Sequence, residues 1–410
     1  MAAERESYRL AFPPKTKPYI STGLPFQTAC EHHVKNTFKS SRVYVIVSSS
    51  ISRTENFTKL QKALGNSIIG VRKGIRPHTP WDDIIETIND MKEKDADLIV
   101  TLGAGSLTDG AKVISLALAN NVSTTQDLAN ISIDTQQNSL QSCKIPIINI
   151  PTSLSGGEYS PAAGATDTRT GHKVLFRHPS LGAELIILDP ALTITTPRRT
   201  WLASGIRAVD HCVEGLCSMT ENACSESDGH FTHGLKLLVP SLLKTKENWN
   251  DEEPRLKEML GVLEAMKGLS LGIPMGASHG IGHQLGPLGV GHGETSCVML
   301  PSVLKYTYVH GDERARREQQ KVLDFFWSDE VVAAVLQKRG LRKESAQAGD
   351  VVGAVVSELG LPRSLRDVGV SKEKFDKLAD NCLKDAALKT NAVPILEKKQ
   401  VLEILEMAAQ

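Results

Sequence analysis

The hydrophobic pattern in the first half of the chain alternates between short apolar runs and stretches with helical spacing. The apolar runs, rich in valine and isoleucine, predict strands at 43–47, 67–71, 98–102, 145–150 and 185–188. Apolar residues spaced three and four apart predict helices at 56–64, 81–94 and 109–119. Strands that alternate with helices are typical of βαβ units, so this half is predicted to form a parallel sheet covered on both faces.

After Pro197 the pattern becomes almost entirely helical. Helices are predicted at 201–219, 225–243, 254–271 and 279–286, with further helices to the end. We therefore predict an α/β domain followed by an all-α domain: a Rossmann-like dinucleotide-binding domain over 1–195 and a helical catalytic domain over 196–410. The charged tract at 312–319 is predicted to be the solvated face of a helix.

Composition and charge narrow the classes of function. The 47 basic and 47 acidic side chains cancel, and no long basic run offers a surface for nucleic acid or an anionic membrane. The apolar runs are far too short to cross a bilayer, and residues 1–14 contain none of signal-peptide length. The seven cysteines form no CxxC pair, which favours reduced thiols over disulfides or a zinc–thiolate site. We expect a cytoplasmic protein without nucleic-acid or membrane partners.

A glycine-rich loop, LGAGSLTDGAK, follows the predicted strand at 98–102. Its glycines would let backbone N–H groups approach an anion, and the start of the next helix adds a partial positive charge. The loop departs from GxGxxG at the third glycine, and its spacing fits an ordinary helix start equally well. The candidate cofactor-binding residues here are Gly103, Ala104, Gly105, Ser106 and Asp109, the last placed in the first helical turn.

A second loop, IPTSLSGGEYS, follows the predicted strand at 145–150 and is again rich in serine, threonine and glycine. Thr152, Ser153 and Ser155 offer hydroxyl groups to a ligand. Two such loops at the carboxyl ends of parallel strands are where a dinucleotide would bind. Lys173 is included among the candidate cofactor-binding residues.

The turn after the first predicted strand bears on which nicotinamide cofactor is accepted. An acidic residue at this turn would bind the ribose diol of NAD, but Ser48 and Ser49 stand there instead. Without a carboxylate to repel a 2′-phosphate, NADH and NADPH both remain candidates. A serine-rich turn can also be an ordinary loop.

Four of the twelve histidines lie in two short segments of the helical half. The segment MGASHGIGHQLGPLGVGHGE carries His279, His283 and His292, and the segment SGIRAVDHCVEG carries His211. His279 and His283 are four residues apart and would share one helix face. Histidine binds metals, transfers protons and orients substrates near neutral pH. A single histidine is more often a packed or surface residue, but four together favour a functional site.

These motifs together resemble the iron-containing (group III) alcohol dehydrogenase family, over about residues 40–305. LGAGSLTDGAK is similar to the family's pyrophosphate loop GGGSxxDxAK, and IPTSLSGGE to its PTTxGTGSE loop. SGIRAVDHCVEG resembles SGxDAxxHAxEA, and SHGIGHQLGPLGVGHG resembles HAxxHxLGxxxxxPHG. The resemblance implies the dehydroquinate synthase-like fold of these dehydrogenases, a nicotinamide cofactor and a homodimer.

Three details are most similar to the maleylacetate reductase branch of that family. These are the sequence PTSLSGGE of the second loop, the helix start SGIRAVDHCVEG, and the serine in place of an acid at Ser49. That branch reduces an electron-poor, carboxylate-bearing double bond with NADH or NADPH. The resemblance therefore implies a small anionic substrate.

The resemblance also implies where the family's divalent metal, Fe or Zn, would be held. Carried over to this chain, its ligands would be an Asp followed by His211, His279 and His292. Arg207 occupies the position of the Asp, and a guanidinium has no lone pair to give a metal. We therefore expect no metal, and a site made by the three histidines alone is the alternative.

Our hypothesis is that Arg207 takes over the electrostatic role of the metal. Its guanidinium would bind a carboxylate or an enolate oxygen of the substrate. His279 or His283 would supply a proton, while His211 would orient the substrate. His292 completes the candidate catalytic residues.

Two structural alternatives assign these residues no chemistry. Arg207 can form a local salt bridge with Glu214 or Asp210, and Glu214 can pair with His211. Two functional alternatives also stay open beside the leading one, which is an NADH- or NADPH-dependent reductase of a carboxylated unsaturated or keto compound. They are a metal-dependent alcohol dehydrogenase with altered ligands, and a homologue repurposed for cyclisation, isomerisation or aldol cleavage.

Overall fold

A computed structural model describes residues 5–133 and 140–409 of the chain. Residues 1–4, at the start of the segment inspected for a signal peptide, lie outside the described part. The chain divides into two compact units, Met1–Thr195 and Thr196–Gln410. The first unit carries the β-structure, and the second is helical.

The first unit is built around a sheet flanked by helices. Its described strands are β1 (Ser7–Leu10), β2 (Tyr19–Thr22), β3 (Val43–Val47), β4 (Ile68–Lys73), β5 (Leu98–Gly103), β6 (Ile147–Pro151), β7 (Ala162–Thr166), β8 (Lys173–Arg177) and β9 (Leu185–Leu188). Its described helices are α1 (Phe26–His32), α2 (Glu55–Leu64), α3 (Trp81–Glu93), α4 (Gly105–Ala119), α5 (Thr125–Asn130) and α6 (Pro190–Thr193).

Seven strands form one sheet in the order β1-β2-β9-β6-β5-β3-β4. All neighbouring pairs in it are parallel except β1 with β2. The fully buried strand β3 shows why the sheet needs helices on both faces. Tyr44 and Ile46 point into one hydrophobic core, and Val43, Val45 and Val47 point into the other.

The predicted Rossmann-like sheet is confirmed, with differences at its margins. The strands predicted at 43–47 and 185–188 match β3 and β9, and β6 begins two residues later than predicted. The edge strand β1, its neighbour β2 and the hairpin of β7 and β8 were not predicted, because they lack the continuous valine- and isoleucine-rich runs of β3 and β9.

Helix α4 begins four residues earlier than its apolar pattern predicts. Its first residues, Gly105 and Ser106, are small and not hydrophobic, so the hydrophobic pattern misses them. As a consequence, Asp109 lies beyond the first turn of α4, which corrects its predicted position.

The second unit is helical, as predicted. Its described helices are α7 (Arg198–Leu216), α8 (Ser225–Glu247), α9 (Glu252–Ser270), α10 (Ala277–Leu285), α11 (His292–His310), α12 (Glu313–Ser328), α13 (Glu330–Lys338), α14 (Ala348–Glu358), α15 (Phe375–Cys382) and α16 (Lys398–Met407). Within the described ranges, every helix is too short or too polar to cross a membrane. The tract predicted to be a solvated helical face starts α12 and is mostly exposed.

Helix α7 is the central element of this unit. Every residue from Trp201 to Leu216 is buried, so the helix is covered on all sides and its polar residues lie in the interior. One side of helix α10 is apolar: Ala277, Ile281 and Leu285, spaced four apart, join a hydrophobic core. The histidines of α10 lie two residues out of phase with that apolar row and therefore point to the opposite side.

Candidate functional site

The first group of candidate residues lies at the carboxyl ends of three adjacent parallel strands. β5 pairs with β3 on one side and with β6 on the other. The N–H of Ser48 donates to the carbonyl of Leu102 (3.0 Å), and the N–H of Thr152 donates to the carbonyl of Gly103 (3.0 Å). The chain moves from β3 outward to β4 and then returns to β5, so a change in strand order falls between β3 and β5. Open α/β sheets bind ligands at such a switch point.

The two glycine-bearing loops meet at the start of α4. A Cβ built on Gly105 would lie 3.8 Å from the Cβ of Ser155, so the two loops are in contact distance. Gly103 has less room, because its Cβ would lie 2.9 Å from Leu107 and 3.2 Å from Ser48. The hydroxyls of Ser153 and Ser155 are 3.1 Å apart. This arrangement leaves backbone N–H groups and hydroxyls at the start of a helix, which suits a phosphate group.

An ion pair made by Asp109 helps to hold the start of α4 in place. Asp109 pairs with the fully buried Lys112 at 2.9 Å. Lys112 Nζ also donates to the carbonyls of Gly157 (2.9 Å) and Ala162, and so ties α4 to the second loop. Lys112 was not among the predicted cofactor-binding residues, although it ends the LGAGSLTDGAK motif.

Ser49 and Lys173 occupy exposed positions of the first unit. Ser49 follows β3 and lies against Gly74 at the end of β4. Lys173 begins β8, where its aliphatic chain covers Gly164. Lys173 thus belongs to the hairpin of β7 and β8 and not to either glycine-bearing loop.

The second group of candidates is a buried polar stripe on α7. Arg207, Asp210, His211 and Glu214 are spaced three and four residues apart, which places them on one side of the helix. All four side chains are buried. Burying this many ionisable groups is costly unless each finds partners, so their contacts define the site.

Arg207 is a buried cation held by hydroxyl groups. It is 2% exposed, and its Nη1 donates to Thr295 Oγ1 and Ser296 Oγ, both at 3.2 Å. Its Nε has no hydrogen-bond partner. Burial lowers the pKa of Arg207 from its usual range, and nearby Asp210 and Glu214 oppose that shift. The guanidinium thus retains donor capacity for a further group.

Asp210 connects three helices. Its Oδ2 accepts hydrogen bonds from Ser278 Oγ at 2.8 Å and from Ser296 Oγ at 2.6 Å. Burial, together with the nearby Glu214 carboxyl, raises the pKa of Asp210 well above its usual range. The sequence had suggested Asp210 only as a salt-bridge partner of Arg207; its hydrogen bonds instead go to α10 and α11.

Glu214 holds His279 rather than His211. Its Oε2 lies 2.8 Å from His279 Nδ1, which corrects the sequence-based pairing with Arg207 or His211. The ring of His211 stacks on that of His279, with centroids 4.8 Å apart. Burial lowers the pKa of both histidines well below the usual range, so both are neutral near neutral pH. Burial raises the pKa of Glu214 to about 7, against the hydrogen bonds that favour its ionised form.

Unsatisfied polar atoms concentrate at this cluster. Of the nine buried side-chain nitrogen and oxygen atoms without a hydrogen-bond partner among the described residues, four belong to it. Buried polar groups are normally paired, and exceptions often mark functional sites. The four atoms are Arg207 Nε, Asp210 Oδ1, His211 Nδ1 and His279 Nε2.

The remaining two candidate histidines lie nearer to solvent. The side chain of His283 is 34% exposed, and its Nδ1 lies 2.8 Å from Asp385 Oδ2. His283 is close enough to influence His279 electrostatically. His292 is exposed at the first residue of α11. The structure thus brings Arg207, His211 and His279 together in the interior.

A small cavity of about 20 Å³ adjoins Glu214, Ser218, Thr307 and Asn391. This volume has room for a water molecule and is far too small for an organic substrate. The cavity therefore lies beside the polar cluster and is not itself a substrate pocket.

Sequence reasoning missed the hydroxyls and the carboxylate that hold the charged groups. Ser278 stands directly before His279 in the motif, so its position was a usable signal. Thr295, Ser296 and Asp385 carried no signal, because their partners are roughly 90 to 100 residues away in the chain.

Comparison with known proteins decides the family. The model of the iron-containing alcohol dehydrogenase family matches residues 23–190, and the model of the C-terminal part of the Fe-containing alcohol dehydrogenase family matches residues 201–409. The chain belongs to the iron-containing alcohol dehydrogenase family. It is accordingly an NAD-dependent oxidoreductase, which favours the redox interpretation over the repurposed non-redox alternative.

Two dehydrogenases match most or all of the chain. Dehydrogenase ALT3 of Alternaria alternata is 47% identical, over 90% of this chain and 100% of its own. Dehydrogenase FUM7 of Gibberella moniliformis is 41% identical, with 100% of each chain covered. The crystal structure of maleylacetate reductase from Agrobacterium tumefaciens has a TM-score of 0.73 at 21% identity, covering 100% of this chain and 99% of that chain. The predicted fold is therefore confirmed.

Proposed function

We propose that this chain is an NADH- or NADPH-dependent reductase that transfers a hydride to a carboxylated unsaturated or keto compound, without a divalent metal. The observation that carries the proposal is the buried Arg207, which keeps an unsatisfied Nε beside two neutral histidines. Hydride addition to a conjugated carbonyl compound places negative charge on its oxygen. A fixed buried cation stabilises that charge.

The nature of the partner groups supports an anionic substrate. Arg207 is bound by hydroxyl groups, which do not neutralise its charge. A carboxylate or enolate oxygen would form charge-assisted hydrogen bonds with the guanidinium. The maleylacetate reductase among the structural neighbours is named for an acid of this kind.

The residues of the cluster do not fit the metal ligand set that the family resemblance implies. A guanidinium stands where that resemblance places the Asp ligand, and it would repel a divalent cation. His292, one of the implied ligands, is exposed at the start of α11. We therefore derive no step through a metal.

A metal-dependent dehydrogenase with altered ligands is the second candidate, and one observation favours it. Asp210, Glu214 and His279 bring one ligand atom each to within 4.8 Å of one another. Against it, Glu214 already accepts two backbone N–H groups and faces His279 Nδ1, and Asp210 Oδ2 accepts two hydroxyls. Binding a metal would break several of these hydrogen bonds.

In the proposed reaction the residues have distinct roles. Arg207 binds the developing oxyanion or a substrate carboxylate, and His211 lines the same interior space. His283, which is half-buried and paired with Asp385, can exchange protons with water and is the better proton source. His279 is deeply buried and neutral, which suits a hydrogen-bonding role.

Replacement of Arg207 tests this function. Arg207→Ala is expected to lower kcat with carboxylated enones or keto acids by at least about 10²-fold, as loss of an oxyanion partner does, while nucleotide affinity is retained. Arg207→Lys keeps the positive charge but loses the planar guanidinium that can donate two hydrogen bonds to one carboxylate. It should recover part of the rate. Oxidation of NADH or NADPH is followed by absorbance.

The matched control is Arg255→Lys. Arg255 is also fully buried in the second unit, but it lies over the ring of Trp249 at 4.0 Å, away from the histidines. This exchange is expected to lower stability and leave kcat unchanged. Normal turnover in Arg207→Ala would overturn the proposed role of Arg207.

A further inference from the structure

Glu214 makes three contacts with the start of α10. Its Oε2 accepts from the N–H of Gly276 at 2.8 Å, and its Oε1 accepts from the N–H of Ser278 at 2.7 Å. Its Oε2 also faces His279 Nδ1 at 2.8 Å. One carboxylate on α7 therefore holds both the first turn of α10 and the imidazole that this turn carries.

The first turn of α10 is built to receive this carboxylate. Helix starts leave backbone N–H groups without intrahelical partners and favour an anion. The N–H of Ala277 is satisfied by Asn391 Oδ1 at 3.1 Å. Gly276 has no space for a side chain, since a Cβ there would lie 2.8 Å from Glu214 Oε1 and 2.9 Å from Asn391 Oδ1. The glycine in the sequence MGASH is thus required by the two acceptors.

The contact determines which imidazole nitrogen faces the site. At a pH above the pKa of about 7 that burial gives Glu214, its carboxylate can only accept, so Nδ1 of His279 carries the hydrogen. Nε2 then presents a lone pair, and this atom has no partner within the described structure.

We propose that Glu214 is a positioning residue that fixes the Nδ1–H tautomer of His279 and so presents Nε2 as a hydrogen-bond acceptor to a hydroxyl group, that of the substrate's enol form or of the alcohol product. The kinetic part of this proposal rests on the proposed function. The tautomer itself is a property of the protein without substrate, so it can be tested separately.

The first test is the ¹⁵N NMR spectrum of histidine-labelled protein at mildly alkaline pH. The His279 signals are assigned by their loss in His279→Gln. We expect the wild type to show the Nδ1–H tautomer, and Glu214→Gln to show a mixture or the Nε2–H tautomer. An Nε2–H tautomer in the wild type would overturn the proposal, even if the variants fail to fold.

The second test measures kcat and KM separately in variants of Glu214. Glu214→Gln is expected to lower kcat by roughly 10²-fold, which is the usual contribution of one positioned acid–base group to the rate. The Kd of the nucleotide should not change. Glu214→Asp, which keeps a carboxylate, should restore part of kcat. Wild-type kcat in Glu214→Gln would contradict the role.

Glu258→Gln is the matched control. Glu258 is an equally buried carboxyl in the same unit, held by Trp201 Nε1 at 2.6 Å and by Thr245 Oγ1 at 2.6 Å. Its replacement should change stability but not kcat; an equal loss of kcat would mean that burial of a carboxylate alone explains the effect. If no carbonyl or alkene substrate is turned over, the proposed function fails while the NMR result still decides the tautomer.

Discussion

At the scale of single residues, the chemistry proposed for the buried cluster depends on which charged groups are present, and not on how many there are. Arg207 brings a permanent charge into an interior where the histidines are neutral. The two stacked imidazoles and the carboxyls of Asp210 and Glu214 surround it on α7 and α10. The motif SGIRAVDHCVEG predicted the spacing of these groups, but not the partner of Glu214, because that partner comes from another helix.

Ser49 gives a prediction on cofactor choice. Ser49→Asp would place a carboxylate after β3, where it should repel the 2′-phosphate of NADPH. We expect NADPH affinity to fall by about tenfold, the effect of roughly 1.4 kcal/mol, with NADH affinity unchanged or improved. Titration calorimetry with both nucleotides measures this. Equal affinities in the variant and the wild type would show that the ribose lies elsewhere.

Glu258 gives a prediction on pH dependence. Burial raises its pKa to about 7 from an ordinary value of 4.5. Between these two values the native state binds more protons than the unfolded state, so the free energy of unfolding falls as the pH rises from 4.5 through 7. Relative to Glu258→Gln, the wild type should lose on the order of 2 kcal/mol over this range. Denaturant titrations at several pH values test this, and parallel pH profiles would contradict it.

At the scale of elements, the hydrophobic pattern predicted the strands and helices that are rich in buried apolar residues, and missed those that are partly polar. Strand β3 and helix α3 follow from their apolar residues alone. The start of α4 does not, because Gly105 and Ser106 are not hydrophobic and add nothing to the apolar pattern. The edge strand β1 and its neighbour β2 are four residues each and partly polar, and β2 pairs with β9, which is distant in sequence.

The start of α4 yields a prediction for nucleotide binding. In Gly105→Ala the new Cβ meets only ordinary contacts, at 3.8 Å from Ser155, so the fold should be retained. The methyl group would still restrict the approach of a pyrophosphate to the backbone. We expect nucleotide affinity to fall by about tenfold with an unchanged Tm.

Gly229→Ala is the control for this substitution. Gly229 lies in α8, where a Cβ would have no neighbour within 4 Å. Nucleotide affinity should not change there. A loss of affinity in both variants, or in neither, would count against a pyrophosphate at the start of α4.

At the scale of the whole molecule, the chain combines a nucleotide-binding type of sheet with a helical unit that carries a buried polar cluster. The order of the four motifs was sufficient to predict the family, which the family models confirm. The cytoplasmic location and the homodimer stay predictions. No single motif predicts the substrate, because the groups of the buried cluster come from α7, α10 and α11, which are distant in sequence.

The central claim is that Arg207 replaces a metal in a nicotinamide-dependent reductase. The most direct test measures metal content and turnover in one sample of purified enzyme, before and after chelation. We predict well under one divalent ion per chain and an unchanged rate of NADH or NADPH oxidation with a carboxylated enone or keto acid. Near-stoichiometric Fe or Zn that chelation removes together with the activity would contradict the claim.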